Sequence, residues 1–288
     1  MAYSLGYHVR YSHCFNMVLA NLLMGAITPG QAGGEPVRIH ELYKADVNVG
    51  DATAVVIMER VFDAIVLVFF GIISIVIMRE VLQDLSHEIL FIMGFTLVLM
   101  VFFVLFILIT AMKPEPAKRT VTRLLHWLYQ KTKLPRIHHL ISKSDQEIEN
   151  FCTGVRAYAG HGRKGLCIGL ICTGCFWLSE FIVASVIMMG LGLSPAIAES
   201  FLFQLIIATV SMIPLTPGAS GIAELSATSL YALIIPSAAL GVFILLWRVI
   251  MFYINILLGI FGSLNIFRRE FSTETNGDKD QSDETDFF

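Results

Sequence analysis

Charge is scarce in this sequence: Asp, Glu, Lys and Arg make up 15% of its 288 residues, against 56% hydrophobic residues, and mean hydropathy is +0.71. A soluble domain of this length is excluded by that balance, which leaves a membrane protein. A net charge of −3 gives no basis for a nucleic-acid partner. Cysteine is also sparse. Four of the five (Cys14, Cys167, Cys172 and Cys175) lie in apolar stretches, and Cys172-x-x-Cys175 has no second pair nearby, so neither a disulfide framework nor a metal or redox centre is expected. A G-x-x-x-x-G-K-[ST] phosphate loop, an HExxH metal motif and a nucleophile with an adjacent base are all missing, which points away from nucleotide-driven transport, metal sites, cofactors and enzymes. The N-terminus, MAYSLGYHVRYSHCF, lacks the basic region, apolar run and small-residue cleavage site of a signal peptide.

What the chain does have is long apolar runs. A bilayer-spanning helix needs about 20 apolar residues, and four stretches qualify: 54–78, 89–112, 165–189 and 237–264. Three are too short: Cys14 to Ile27, Glu199 to Ile213 and Ile222 to Pro236. Each abuts a Pro and Gly cluster, the pattern of broken helices that are tolerated at membrane depth only where protein or a cavity surrounds them. The fold class is therefore all-α. A polytopic membrane helix bundle is expected over 1–269, with re-entrant segments at about 14–35 and 199–236.

Charge is segregated along the chain. From Lys113 to Lys164 there are 11 Lys plus Arg against 4 Asp plus Glu, a net of 11 − 4 = +7. The positive-inside rule places that loop in the cytoplasm of a cell-membrane protein. The Arg79 to Glu88 and Gly190 to Ala198 loops then fall outside, and Arg268 and Arg269 inside. The two broken segments enter from opposite sides. RTVTRLLHWLYQKTK, within the basic loop, reads as an interfacial helix, and His126, His138, His139 and His161 as solvated loop histidines. The acidic stretch 270–288 is expected to be disordered.

The broken segments carry a repeat. Thr28-Pro29-Gly30-Gln31-Ala32-Gly33-Gly34-Glu35 aligns with Thr216-Pro217-Gly218-Ala219-Ser220-Gly221-Ile222-Ala223-Glu224, displaced by 216 − 28 = 188 residues. Arg60 follows Thr28 by 32 residues, and Arg248 follows Thr216 by 32. With opposed orientations this is an inverted repeat, whose substrate site is expected between the halves. Shifting the helix 165–189 back by 188 places its counterpart ahead of Met1, so a further upstream span is expected.

The residue types suit an anion. Proline and glycine stop one half-helix and permit a tight turn. The next half-helix then begins with free N–H groups and the positive end of its dipole. Arginine at membrane depth needs a partner and binds phosphate bidentately. Glu59 and Asp63 are candidate partners of Arg60, and Glu224 or Glu180 of Arg248. The candidate substrate-binding residues are thus Thr28, Pro29, Gly30, Gly33, Gly34, Glu35, Arg38, Glu59, Arg60, Asp63, Glu180, Thr216, Pro217, Gly218, Gly221, Glu224 and Arg248. The competing reading is structural ion pairing, or for Arg60 snorkelling to the interface. Gly25, Gly71, Gly169, Gly174 and Gly259 are expected to be helix-packing positions, and the Trp and Phe residues ordinary ones.

In order along the chain, TPGQAGGEPVR, AVVIMERVFD, WLSE, PLTPGASGIAE and WRVIMFY resemble the transmembrane domain of the lysylphosphatidylglycerol synthase and flippase family. The resemblance spans Gly6 to Arg268. It implies a domain that moves lipids between leaflets, some members carrying an aminoacyl-transferase domain and others serving polyprenyl-sugar or cell-envelope assembly. Lysine transfer by an aminoacyl-transferase domain is not expected of this sequence, and it is expected to begin after the first helix or helices of the family pattern. The leading expectation is a lipid flippase whose partner is an anionic phospholipid or a polyprenyl-linked headgroup, either homo-oligomeric or associated with a synthase or glycosyltransferase. The alternatives are a non-catalytic membrane subunit and, less favoured, an intramembrane enzyme.

Overall fold

The computed structural model describes residues 1–29, 32–77, 87–112, 123, 147–158, 163–212 and 216–285. Gly30, the interfacial-helix segment apart from Arg123, and the four loop histidines lie outside them. All regular elements among the described residues are helical. After a 3-10 turn at Ala2–Leu5 come α1 (Tyr11–Ile27), α2 (Gly34–Lys44), α3 (Val49–Ile77) and α4 (His87–Met112). A short helix α5 covers residues 147–158, followed by α6 (Arg163–Gly190), α7 (Ile197–Ser211), α8 (Ile222–Tyr231), α9 (Ser237–Arg248), a π-helical stretch Val249–Tyr253 and α10 (Ile254–Thr285).

Four helices are long and apolar enough to cross a bilayer: Val49–Ile77, Met93–Met112, Lys164–Gly190 and the continuous Ser237–Arg269. They match the four expected spans. α3, however, begins at Val49 instead of near residue 54, because Glu147 reaches across from α5 and accepts the Gly50 N–H at 2.7 Å, satisfying one of the orphan donors of the first turn. α10 continues as helix through Thr285, into the acidic stretch that composition alone assigns to disorder. Adding residues to an existing helix avoids the cost of nucleation.

The short runs become helical hairpins. α1 stops at Ile27 because the next peptide precedes a proline, and Thr28 is accordingly extended at φ −115°, ψ 147°. α2 then returns against α1, and α1 lies along α10. Gly259 and Gly262 make that close packing feasible, since a Cβ on Gly259 would stand 2.6 Å from the Leu23 nitrogen and one on Gly262 would run into Leu19. Gly71 against Leu97 and Gly169 against Phe62 are packing positions of the same kind, whereas a Cβ on Gly174 would meet nothing within 4 Å.

α7 sits at the centre. Its sequence is apolar all round, so it has no face to offer solvent, and Leu202, Phe203, Leu205, Ile206 and Ile207 are all buried. They pack with Leu67, Phe181, Met188, Leu230, Tyr231, Phe243 and Trp247 from α3, α6, α8 and α9. The polar side chains of α7 are satisfied internally: Ser200 Oγ lies 2.9 Å from the Tyr231 hydroxyl, which accepts from Gln204 Nε2 at 2.9 Å. Outward-facing side chains such as Phe69, Ile72, Phe102, Phe106, Ile171 and Leu257 are exposed and apolar, the surface expected where lipid replaces water.

Candidate functional site: two abutting turns and their arginines

The two TPGxxG turns meet tip to tip. Pro29 and Pro217 pair in an antiparallel bridge, and because neither proline has an N–H, Gly218 supplies the donor, its N–H reaching the Thr28 carbonyl at 3.3 Å. Gly218 is required on two counts. Its φ is +55°, and a Cβ would stand 2.6 Å from both the Ala26 carbonyl oxygen and the Phe252 ring. Sequence spacing pairs the motifs; only the fold brings them into contact.

The turns are capped differently. In the first, Thr28 Oγ1 donates to the Met24 carbonyl at 2.7 Å and accepts the Gly33 N–H at 2.9 Å. Gly33 is so close that a Cβ would stand 2.6 Å from Thr28 Cγ2, and Gly34 packs against Asn21. In the second, the Thr216 hydroxyl is buried without a partner among the described residues, and capping falls to Glu224, whose Oε2 accepts the Gly221 N–H at 2.7 Å. A carboxylate of the protein itself thus occupies the helix N-terminus that the sequence reserves for an anion.

Each motif glutamate faces the arginine that follows it by the repeat. Glu224 Oε1 lies 2.7 Å from Arg248 Nε, and Glu35 Oε1 lies 3.7 Å from Arg60 Nε. Around Arg248 the setting is otherwise neutral: Nη2 donates to Ser220 Oγ at 3.0 Å and the guanidinium stacks over Phe252 at 4.0 Å from the ring centroid. Phe252 belongs to the π-helical stretch, a local widening that recurs at functional sites.

The first half is more heavily charged. Arg60 Nη1 lies 3.2 Å from Asp63 Oδ2, and Trp177 from α6 donates its Nε1–H to Asp63 Oδ1 at 2.9 Å. Glu59 turns away from Arg60 and pairs with the buried Arg38 of α2. Two arginines therefore face three carboxylates (Glu35, Glu59 and Asp63), a net charge of −1. The Nε groups of Arg38 and Arg60 are buried without a hydrogen-bond acceptor among the described residues.

Arg60 and Asp63 line a cavity of about 700 Å³. Apart from Thr96, its remaining walls are apolar and come mainly from α4, with Phe95, Leu99, Phe102, Phe103 and Phe106, while Met212 lies just past the end of α7. The result is a charged floor under a hydrocarbon-lined groove.

Of the sequence candidates, Thr28, Pro29, Gly33, Gly34, Glu35, Arg38, Glu59, Arg60 and Asp63 gather at the first turn, and Thr216, Pro217, Gly218, Gly221, Glu224 and Arg248 at the second. Glu180 joins neither: among the described residues it makes no hydrogen bond or ion pair, and Glu224 alone takes the part of partner to Arg248. Trp177, Ser220 and Phe252 contribute contacts that residue type and spacing do not announce. The WLSE motif carried a signal for Trp177, since an indole N–H in an apolar helix requires an acceptor.

An all-helical bundle with four apolar spans, built around paired turns that bear ion-paired arginines, defines a polytopic integral membrane protein. The chain belongs to the family of the lysylphosphatidylglycerol synthase transmembrane region, which it matches over residues 1–259. It is similar to a UPF0104 membrane protein of Archaeoglobus fulgidus, with 31% identity over 255 residues that cover 88% of this chain and 76% of the relative. No solved structure matches it.

Proposed function

We propose that the protein moves a phospholipid or a lipid-linked headgroup between leaflets and that it performs no covalent chemistry on it. One observation carries this reading: each TPGxxG turn brings a glutamate to an arginine in a low-dielectric setting, and one of those arginines opens into an apolar groove. A carboxylate in that position mimics a phosphate. A lipid whose phosphate takes the place of a carboxylate on Arg60 or Arg248 gains a bidentate guanidinium partner, and the groove along α4 accepts its hydrocarbon. The Nε groups of Arg38 and Arg60, which have no hydrogen-bond acceptor among the described residues, add donors for the same anion.

The two halves are read as an inverted repeat of opposed re-entrant hairpins, with the basic loop 113–164 and the C-terminal end in the cytoplasm and the spans in the cell membrane. The turns that abut in this structure close the path between the halves, and transport requires them to part. The family relationship supports a lipid-handling role. The test is reconstitution into phosphatidylcholine vesicles with a fluorescent phosphatidylglycerol whose outer-leaflet fraction is quenched chemically. Transport is expected to fall about 10- to 100-fold in Arg248→Ala and Arg60→Ala, the worth of one or two charge-assisted hydrogen bonds. Transport unchanged by both variants, or chemical conversion of the lipid, overturns the proposal.

A further inference from the structure

The geometry points to Asp63 as a proton acceptor that accompanies a lipid phosphate onto Arg60, so that one proton is taken up for each phosphate bound. The inference rests on the proposed function and adds its coupling ion.

The argument is one of charge conservation in a poorly hydrated place. At rest, Arg60 is shared by Asp63 at 3.2 Å and Glu35 at 3.7 Å, while Arg38 is committed to Glu59. The cluster already carries one negative charge more than positive. A phosphodiester that engages Arg60 brings a second, and among the described residues no other cation lines the cavity. α4 contributes no Asp, Glu, Lys or Arg between Met93 and Met112. On α7 the carboxylate is Glu199, which stands 13 residues before Met212 at the cavity and thus about 20 Å along the helix. On α6 the charged side chain nearest in sequence to Trp177 is Glu180, an acid. The excess charge is removed by binding a proton, since uncompensated charge in a low-dielectric cavity is strongly disfavoured.

Among the three carboxylates, position selects Asp63. Glu59 keeps Arg38 whether or not Arg60 is engaged. Glu35 stands farther from Arg60, at 3.7 Å against 3.2 Å for Asp63, and its side chain is more exposed, at 29%. Asp63 is 13% exposed and lines the groove directly. It loses its guanidinium when phosphate arrives and retains only the Trp177 N–H, which a neutral carboxyl accepts as well. The step balances: the Asp63 carboxylate takes one proton, the Arg60 guanidinium exchanges a carboxylate for a phosphodiester, and the cluster remains at −1. Release of the phosphate in the other leaflet returns Arg60 to Asp63 and frees the proton there. A proton gradient would then drive the lipid.

The experiment adds short-chain phosphatidylglycerol to detergent-solubilised protein in weakly buffered solution and reads a pH-indicator dye alongside bound lipid. Wild-type protein is expected to take up one proton per lipid, Asp63→Asn to bind with none, and Asp63→Glu to restore the uptake. In vesicles, an imposed pH gradient accelerates transfer of fluorescent phosphatidylglycerol by the wild type but not by Asp63→Asn. Binding by the wild type without proton uptake overturns this inference and leaves the lipid reading standing; absence of phosphatidylglycerol binding overturns both. The wild-type stoichiometry decides the matter even where the Asn variant does not fold.

Discussion

The pair Glu224–Arg248 offers a direct test of whether the repeated ion pairs are buried and coupled. Arg248 is 7% exposed, and its guanidinium contacts Glu224 at 2.7 Å, Ser220 at 3.0 Å and the Phe252 ring. Removing one partner of a buried pair costs roughly 3–5 kcal/mol, because the other charge stays behind uncompensated. The Glu224 side chain is a third exposed, so solvent offsets part of that penalty and about 2–3 kcal/mol is expected for Glu224→Gln. Glutamine keeps an oxygen for the Gly221 N–H, so this variant isolates the charge from the cap. Glu224→Ala loses both and is expected to cost about 1 kcal/mol more. Arg248→Met keeps most of the packing, and the double variant Glu224→Gln with Arg248→Met is expected to fall short of the summed single costs by about 2 kcal/mol. The assay is equilibrium unfolding in mixed micelles titrated with dodecyl sulfate, followed by tryptophan fluorescence. A coupling below about 0.5 kcal/mol marks an independently solvated pair. That result removes the basis for treating Glu224 as a stand-in for phosphate.

Three further outcomes follow from contacts outside the arginine clusters. Gly218→Ala is expected to cost more than Gly221→Ala in the same assay: both hold a positive φ that strains a side chain, but only the first adds a clash, with the Ala26 carbonyl and Phe252, and only the first parts the two turns. Tyr158→Phe is expected to be neutral or to stabilise by about 1 kcal/mol, since its hydroxyl is buried with no partner among the described residues. Tyr7→Phe removes the 2.6 Å bond to Asp51 and is expected to cost about 1 kcal/mol at neutral pH. Burial first, and then that bond, raise the Tyr7 phenol above its ordinary value. Its contribution is therefore present in full below about pH 10 and disappears as pH rises through the raised folded value; the variant should lack that alkaline loss.

Much of the architecture is legible in the sequence because lipid imposes a simple code. Runs of about 20 apolar residues must be helices, and α3, α4, α6 and the α9–α10 span lie where length places them. The repeat spacing is informative for a related reason: arginine is so costly among apolar residues that its recurrence 32 residues after each turn calls for partners. Of the expected ones Asp63 and Glu224 are found there, while Glu35 joins Arg60 in place of Glu59. Three features escape such reading. The contact between Thr28 and Gly218 is tertiary, made by residues 190 apart through backbone atoms that no side-chain pattern reports. The assignment of Glu59 to Arg38 instead of Arg60 depends on how α2 folds back against α3, although Glu59 is adjacent to Arg60 in sequence. The groove arises from the distance between α3, α4 and α7, while the sequence of α4, apolar on every side, names no preferred face.

The two halves share a spacing but not an electrostatic setting, and that difference separates their roles. Arg248 and Glu224 cancel, are joined by an aromatic ring and a serine, and stand beside a π-helical widening. Arg60 serves two carboxylates in a cluster that is already negative and lines the apolar groove. A phosphate exchanging with Glu224 leaves that carboxylate a third exposed and still bonded to the Gly221 N–H. A phosphate exchanging with Asp63 leaves a carboxylate in the groove wall without a cation. Without a proton the first half would go from −1 to −2, whereas the second goes from neutral to −1 with its freed carboxylate still hydrogen-bonded and part-exposed, so the demand for a proton falls on the first half. Glu224→Gln is accordingly expected to slow phosphatidylglycerol transfer while keeping its acceleration by a pH gradient, whereas Asp63→Asn removes that acceleration; vesicle transfer measured with and without the gradient separates the two. Equal loss of gradient dependence in both variants would show that the halves act as interchangeable sites and refute the division of labour drawn from their charges.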